Sequence, residues 1–143
     1  MYAFQTGVER KTKNSLDNLM FHYHKYDRKY YVLGNKDKYY SESLVAKAER
    51  ELAVSNKLSY GFGSEYKYDW GHYLTKTFAS QTKGHLSNLG VFANAGYKFN
   101  EKQLLSLHIR NDDHKETGGN KTYKINFTQI FGQLKLGTTH STG

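Results

Sequence analysis

Apolar and polar residues alternate with a period of two along most of the chain. In LSYGFGSEYKYDWG, residues 58–71, the even positions Tyr60, Phe62, Ser64, Tyr66 and Tyr68 oppose Ser59, Gly61, Gly63, Glu65 and Lys67. Successive side chains of a strand point to opposite faces, so a strand here carries one ringed face and one small or charged face. GHLSNLGVFANAGYKF repeats the division, with Leu89, Val91, Ala93, Ala95, Tyr97 and Phe99 against Asn88, Gly90, Asn94, Gly96 and Lys98. QLLSLHIRND sets Leu105, Leu107 and Ile109 against Ser106, His108, Arg110 and Asp112. TYKINFTQI sets Tyr123, Ile125 and Phe127 against Lys124, Asn126 and Thr128, and QLKLGTTHS follows with Leu134 and Leu136 on one side.

Upstream, NLMFHYHKY places Leu19, Phe21 and Tyr23 opposite Asn18, His22 and His24. YYSESLVAKAERELA places Leu44, Ala46, Ala48 and Leu52 opposite Ser43, Lys47, Glu49 and Glu51. SLVAKAEREL is also made of good helix formers, so a helix is the competing expectation there. With Tyr2–Arg10 as a first strand, the pattern predicts an all-β, antiparallel up-and-down meander of about eight strands. Several are longer than the ~5–6 residues usual in globular sheets. The connections predict short turns near Thr12–Ser15, Val54–Asn56, Asn100–Lys102 and Phe131–Gly132, and longer polar loops over Asp27–Lys38, Asp69–Lys83 and His114–Lys121.

Composition narrows the setting. Tyrosine is abundant at 13 of 143 residues, beside 8 phenylalanines, and proline and cysteine are absent. The lack of proline suits long paired strands, and the lack of cysteine removes disulfides and thiolate metal sites. Mean hydropathy is −0.82. No run approaches the ~18 apolar residues of a membrane helix, but a membrane β-barrel needs apolar residues only at every second position. Long two-faced strands, with short turns at one end and longer loops at the other, are the signature of such a barrel. On that reading Tyr60, Phe62, Tyr66, Leu89, Val91, Leu105, Leu107, Ile125 and Phe127 face lipid. Glu65, Lys67, His108, Arg110 and Asp112 then line a lumen and are the candidate ligand-path residues. Asp69-Trp70 reads as a strand end at the membrane boundary, where an indole is apolar on its body and wet at its N–H.

VSNKLSYGFGSEYKYDWG, TKGHLSNLGVFANAGYKF, RNDDHKETGGNKTYKINFTQIF and LKLGTTHSTG together resemble the middle of the barrel of TonB-dependent outer-membrane receptors, of the vitamin B12 transporter-like group. The resemblance runs from about Ser15 to the end. It implies that residues 1–143 are a partial receptor barrel domain, without plug domain, TonB box or signal peptide. It further implies a bacterial outer-membrane location as part of a longer precursor, contact with outer-membrane lipid, and, in the parent, TonB and a scarce small ligand such as cobalamin or an iron siderophore as partners.

No nucleophile elbow, phosphate-cradling glycine loop or histidine–carboxylate spacing marks an enzyme, and no catalytic, cofactor or metal site is expected. His22 and His24 share a strand face, but zinc wants three or four ligands. Asn111–Asn120 lacks the oxygen spacing of a calcium loop. The formal charge of +8 and the tyrosines also fit a soluble, basic binder of single-stranded nucleic acid. That reading needs a separate aliphatic core, for which Ile, Val and Leu are too few, so no nucleic-acid partner is expected. A complete eight-stranded outer-membrane barrel acting as anchor or adhesin is the other alternative.

Overall fold

The computed structural model describes residues 1–115, 118–131 and 134–142. Eight strands follow one another: β1 (Tyr2–Lys11), β2 (Ser15–Val32), β3 (Asn35–Ala53), β4 (Leu58–Thr75), β5 (Ser80–Asn100), β6 (Gln103–His114), β7 (Gly118–Phe131) and β8 (Leu134–Ser141). They form one antiparallel sheet in the order β1 to β8, each strand bonded to its neighbours in sequence. No pairing joins β1 to β8 among the described residues, so the sheet is not closed, as expected of a partial barrel.

The stretch with helix formers, SLVAKAEREL, lies wholly within β3. Its period-two pattern and two flanking partners outweigh its intrinsic preference. Helix propensities differ by only ~0.7 kcal/mol per residue, whereas here every residue enters ladders on both sides.

The expected long polar loops are not loops. β2 runs on to Val32 and turns through Leu33 and Gly34 alone, both at positive φ (48° and 78°), before β3 begins. Two left-handed central residues make a type I′ turn, whose twist matches that of the strands it joins. β4 likewise continues to Thr75 and β5 begins at Ser80, leaving only residues 76–79 between them. Polar composition suggested loops, but a strand that leaves an apolar environment can stay paired while both of its faces turn polar. Glu116 and Thr117 of the third expected loop, and Gly132 and Gln133 near the last expected turn, lie outside the described residues.

A soluble domain would bury a core between two layers. This sheet is a single layer, and among the described residues Phe92 is the only buried hydrophobic side chain, at 7% exposure. Large apolar side chains, among them Phe62, Leu89, Val91, Leu107, Ile125 and Leu136, stand exposed on one side.

Candidate functional site

Directly opposed residues in an antiparallel sheet share a face, so the register shows whether the alternation of single strands adds up to continuous surfaces. It does. The row through Ile125 runs across Leu107, Ala95, Tyr60 and Leu52. The row through Phe21 runs across Ala46, Tyr66 and Leu89. All nine sequence-predicted lipid-facing residues therefore stand on one ringed face, and Glu65, Lys67, His108, Arg110 and Asp112 stand together on the other.

The two rows give more than face identity. Phe21 lies midway along the apolar stretch Leu19–Tyr23 of β2, and Ile125 midway along Tyr123–Phe127 of β7. Followed into β5 along the register, they arrive at Leu89 and Ala95, six residues apart. Six residues at ~3.3 Å rise are ~20 Å along the strand, and the five strand steps from β2 to β7 at ~4.8 Å are ~24 Å across it. The apolar band thus crosses the sheet obliquely, about 40° from the perpendicular to the strands. Its height differs between strands: Leu19–Tyr23 and Tyr123–Phe127 span four residues, ~13 Å along the strand or ~10 Å once projected, whereas on β5 it runs from Leu89 to Phe99. Ten residues make ~33 Å along the strand, or roughly 25 Å once projected through that tilt.

On the opposite face, glycines make room for long side chains to lie flat. A Cβ on Gly63 would come 2.6 Å from the tip of the Phe92 ring, and one on Gly90 would meet the Arg110 guanidinium. Across those gaps a polar network forms. Arg110 grips Asp112 with Nε and Nη2 at 2.7 Å each, and Nη2 also donates to Glu65 Oε1 at 2.9 Å, reaching across β5 to β4. Asn88 Nδ2 donates to Asp112 at 2.8 Å. Lys47 pairs with Glu49 at 2.7 Å, and Asn18 donates to Glu49 at 3.1 Å. The Phe92 ring sits between the two halves, 5.4 Å from Lys47 Nζ and 5.9 Å from the Arg110 guanidinium, with His108 stacked at 6.0 Å. Three carboxylates and two cations are thereby locked in place, and charge-assisted pairs of this kind are about twice as strong as neutral hydrogen bonds.

The sequence-predicted Glu65, His108, Arg110 and Asp112 thus belong to one cluster. Lys67 does not: it pairs with Asp69 at 2.9 Å further along β4. Trp70 points to the ringed face against Tyr40, edge-on with ring centres 5.1 Å apart. His22 and His24 share the polar face, and His24 stacks on Tyr26. The described residues hold no group of three or more metal-ligating side chains. Sequence reasoning missed Phe92, although a signal was there: Val91-Phe92 is an adjacent apolar pair that breaks the alternation of β5.

It also missed Asp37, which is buried near the β2–β3 turn. Its carboxylate accepts from Thr75 Oγ1 at 2.9 Å, from the Lys76 N–H at 2.8 Å and from the Thr77 N–H at 3.3 Å, and so holds the turn between β4 and β5. Burial alone would raise its pKa, but these donors outweigh burial and leave it lowered.

No family model matches the chain, and no curated protein matches it significantly. Solved structures do. The siderophore receptor PirA of Acinetobacter baumannii superposes with a TM-score of 0.79 at 17% identity, over 96% of this chain and 24% of that one. A mutant of the ferric enterobactin receptor PfeA of Pseudomonas aeruginosa gives 0.71 at 14% identity, over 94% and 24%. The RagAB peptide transporter gives 0.61 at 12% identity, over 97% and 22%. This chain therefore spans about a quarter of the length of each, and each is a receptor or transporter. The likeness is one of fold: the chain has the fold of part of such outer-membrane receptors, as the sequence resemblance implied, and none of these three is a vitamin B12 transporter.

Proposed function

We propose that the chain forms part of the wall of an outer-membrane receptor barrel that takes up a scarce small ligand, with its ringed face in lipid and its polar face toward the lumen. One observation carries this: the oblique apolar band. Transmembrane barrel strands tilt by about 35–45° and present an apolar band ~25 Å tall. The register arrives at about the same tilt, and the apolar run of β5 at about the same height, with no membrane assumed. A nucleic-acid-binding sheet has no reason to hold its apolar residues to such a band.

On this reading the Arg110–Asp112–Glu65 network stiffens the lumen wall and offers fixed charge to whatever passes or packs there. Among ligands, a ferric siderophore is favoured over cobalamin by the receptors that share the fold. Uptake and coupling to TonB belong to the complete barrel. β1 and β8 leave backbone groups unpaired at both edges, and such groups cost several kcal/mol each in lipid.

The test places single tryptophans at Leu107 and at His108 in a Trp70→Phe background and reads quenching by brominated lipids in vesicles. Quenching at 107 and not at 108 is expected. Equal quenching at both, or a detergent-free monomer at high concentration, overturns the membrane reading. Uptake of a ferric siderophore and not of cobalamin by cells whose receptor contains this chain tests the ligand class, and the reverse preference overturns it.

A further inference from the structure

Above the apolar band, the ringed face of the β2–β3 hairpin carries a charge arrangement that the barrel reading does not explain. Lys29 and Lys38 are direct cross-strand partners. Like charges directly opposite one another destabilise a sheet. No carboxylate lies within ion-pair distance of either among the described residues. The nearest in sequence, Asp37, faces the other way and is taken up by the turn after β4. Lys36 adds a third cation on this face, 5.9 Å above the Tyr31 ring. The acidic groups on the same face are Asp27 and Glu42. Glu42 is held by Tyr23, Tyr40 and Lys25.

Height decides what these cations meet. Lys29 lies eight residues above Phe21, and Lys38 eight above Ala46, both at the middle of the band. Eight residues are ~26 Å along the strand, or ~20 Å once tilted by about 40°. A ~25 Å band has a half-height of ~12.5 Å, and a headgroup layer of ~5–7 Å beyond it ends at ~18–20 Å, so the backbone of Lys29 and Lys38 stands at the outer edge of the headgroups and their long side chains reach back to the phosphates.

We propose that Lys29 and Lys38, with Lys36 beside them, form a site for the phosphate of an anionic lipid headgroup in the leaflet next to the β2–β3 hairpin. The bound phosphate removes the Lys29–Lys38 repulsion. The inference rests on the membrane reading above. A nucleic-acid backbone offers the same phosphate chemistry, but the lysines continue the apolar band on the same face, which suits a lipid.

Trp70, the only tryptophan, stands on this face opposite Glu42 and reports on it. The chain in nonionic micelles is titrated with lipids brominated near the headgroup, either zwitterionic or carrying net negative phosphate. Quenching by the anionic lipid is expected at roughly tenfold lower mole fraction, from the attraction of an anionic surface for each nearby lysine. The Lys29→Gln/Lys38→Gln variant should lose that preference, whereas Lys124→Gln/Lys135→Gln, on the polar face, should keep it. Equal quenching by both lipids, or an unchanged preference in the first variant, overturns the site and leaves the membrane reading standing. Absence of quenching by either lipid overturns both. Displacement of the anionic lipid by millimolar inorganic phosphate, or by a labelled oligonucleotide bound more tightly, overturns the lipid as source.

Discussion

The two faces of this sheet treat charge in opposite ways. On the polar face the middle of the sheet is the most highly charged part, and its charges are satisfied at short range: Lys47 by Glu49, Lys67 by Asp69, and Arg110 by Glu65 and Asp112. On the ringed face charge around the middle of the sheet is confined to β1–β3, and the apolar runs of β4 from Leu58 to Trp70 and of β5 from Leu89 to Phe99 carry none. Arg10, Asp17 and Arg50 pair below the row through Phe21 and Ala46, with Arg50 between Ala48 and Leu52, while Lys25, Lys29, Lys36 and Lys38 stand above it. A water-exposed surface has no reason to leave two such runs free of charge. A face in hydrocarbon does, because a charge costs most at the midplane and little at the interface.

The most direct way to break the comparison is to move charge into the wrong face. Val91→Arg or Leu107→Arg should cost about 2–4 kcal/mol for a barrel in a bilayer, read from denaturant unfolding in vesicles, while Ser106→Arg on the polar face should cost far less. Equal costs would remove the distinction between the faces. Next comes the network. Arg110→Met leaves Glu65 and Asp112 facing each other without their shared donor, and should lower stability by about 1–3 kcal/mol, as expected for a charged hydrogen-bonded partner. Adding Glu65→Gln to the same chain should recover part of that loss in the same titration.

The glycine gaps give a similar but more local test. Gly63→Val drives a side chain into the Phe92 ring and should cost about 1–3 kcal/mol through overpacking. Gly84→Val, with nothing within 4 Å of the added Cβ, should stay within about 0.5 kcal/mol. The smallest effect is expected at Asp37. Its pKa is lowered on folding, so its contribution is present above the ordinary carboxylate value of 3.8 and is lost only as pH falls through the lower folded value. Hydrogen exchange at the Lys76 and Thr77 amides should therefore quicken in Asp37→Asn at neutral pH, and in the unaltered chain only under stronger acid than an ordinary carboxylate requires.

Sequence by itself determined the eight strands, their order, and which residues share a face. Period-two alternation is a local property, and hairpin turns leave consecutive strands little choice but to pair. It therefore placed Glu65, Arg110 and Asp112 on one surface, and overrode the helix preference of SLVAKAEREL. Only the tertiary structure decided what depends on register between strands. It made Arg110 reach Glu65 across β5, dropped the Phe92 ring over Gly63, and set Lys29 against Lys38. It also showed that the polar stretches taken for loops stay paired almost to their turns, because polarity reports the surroundings of a strand and not whether its backbone is bonded. The tilt of the apolar band was decided there too: each strand carries its own apolar segment in sequence, but the offset between one segment and the next exists only once the ladders fix which residue stands beside which.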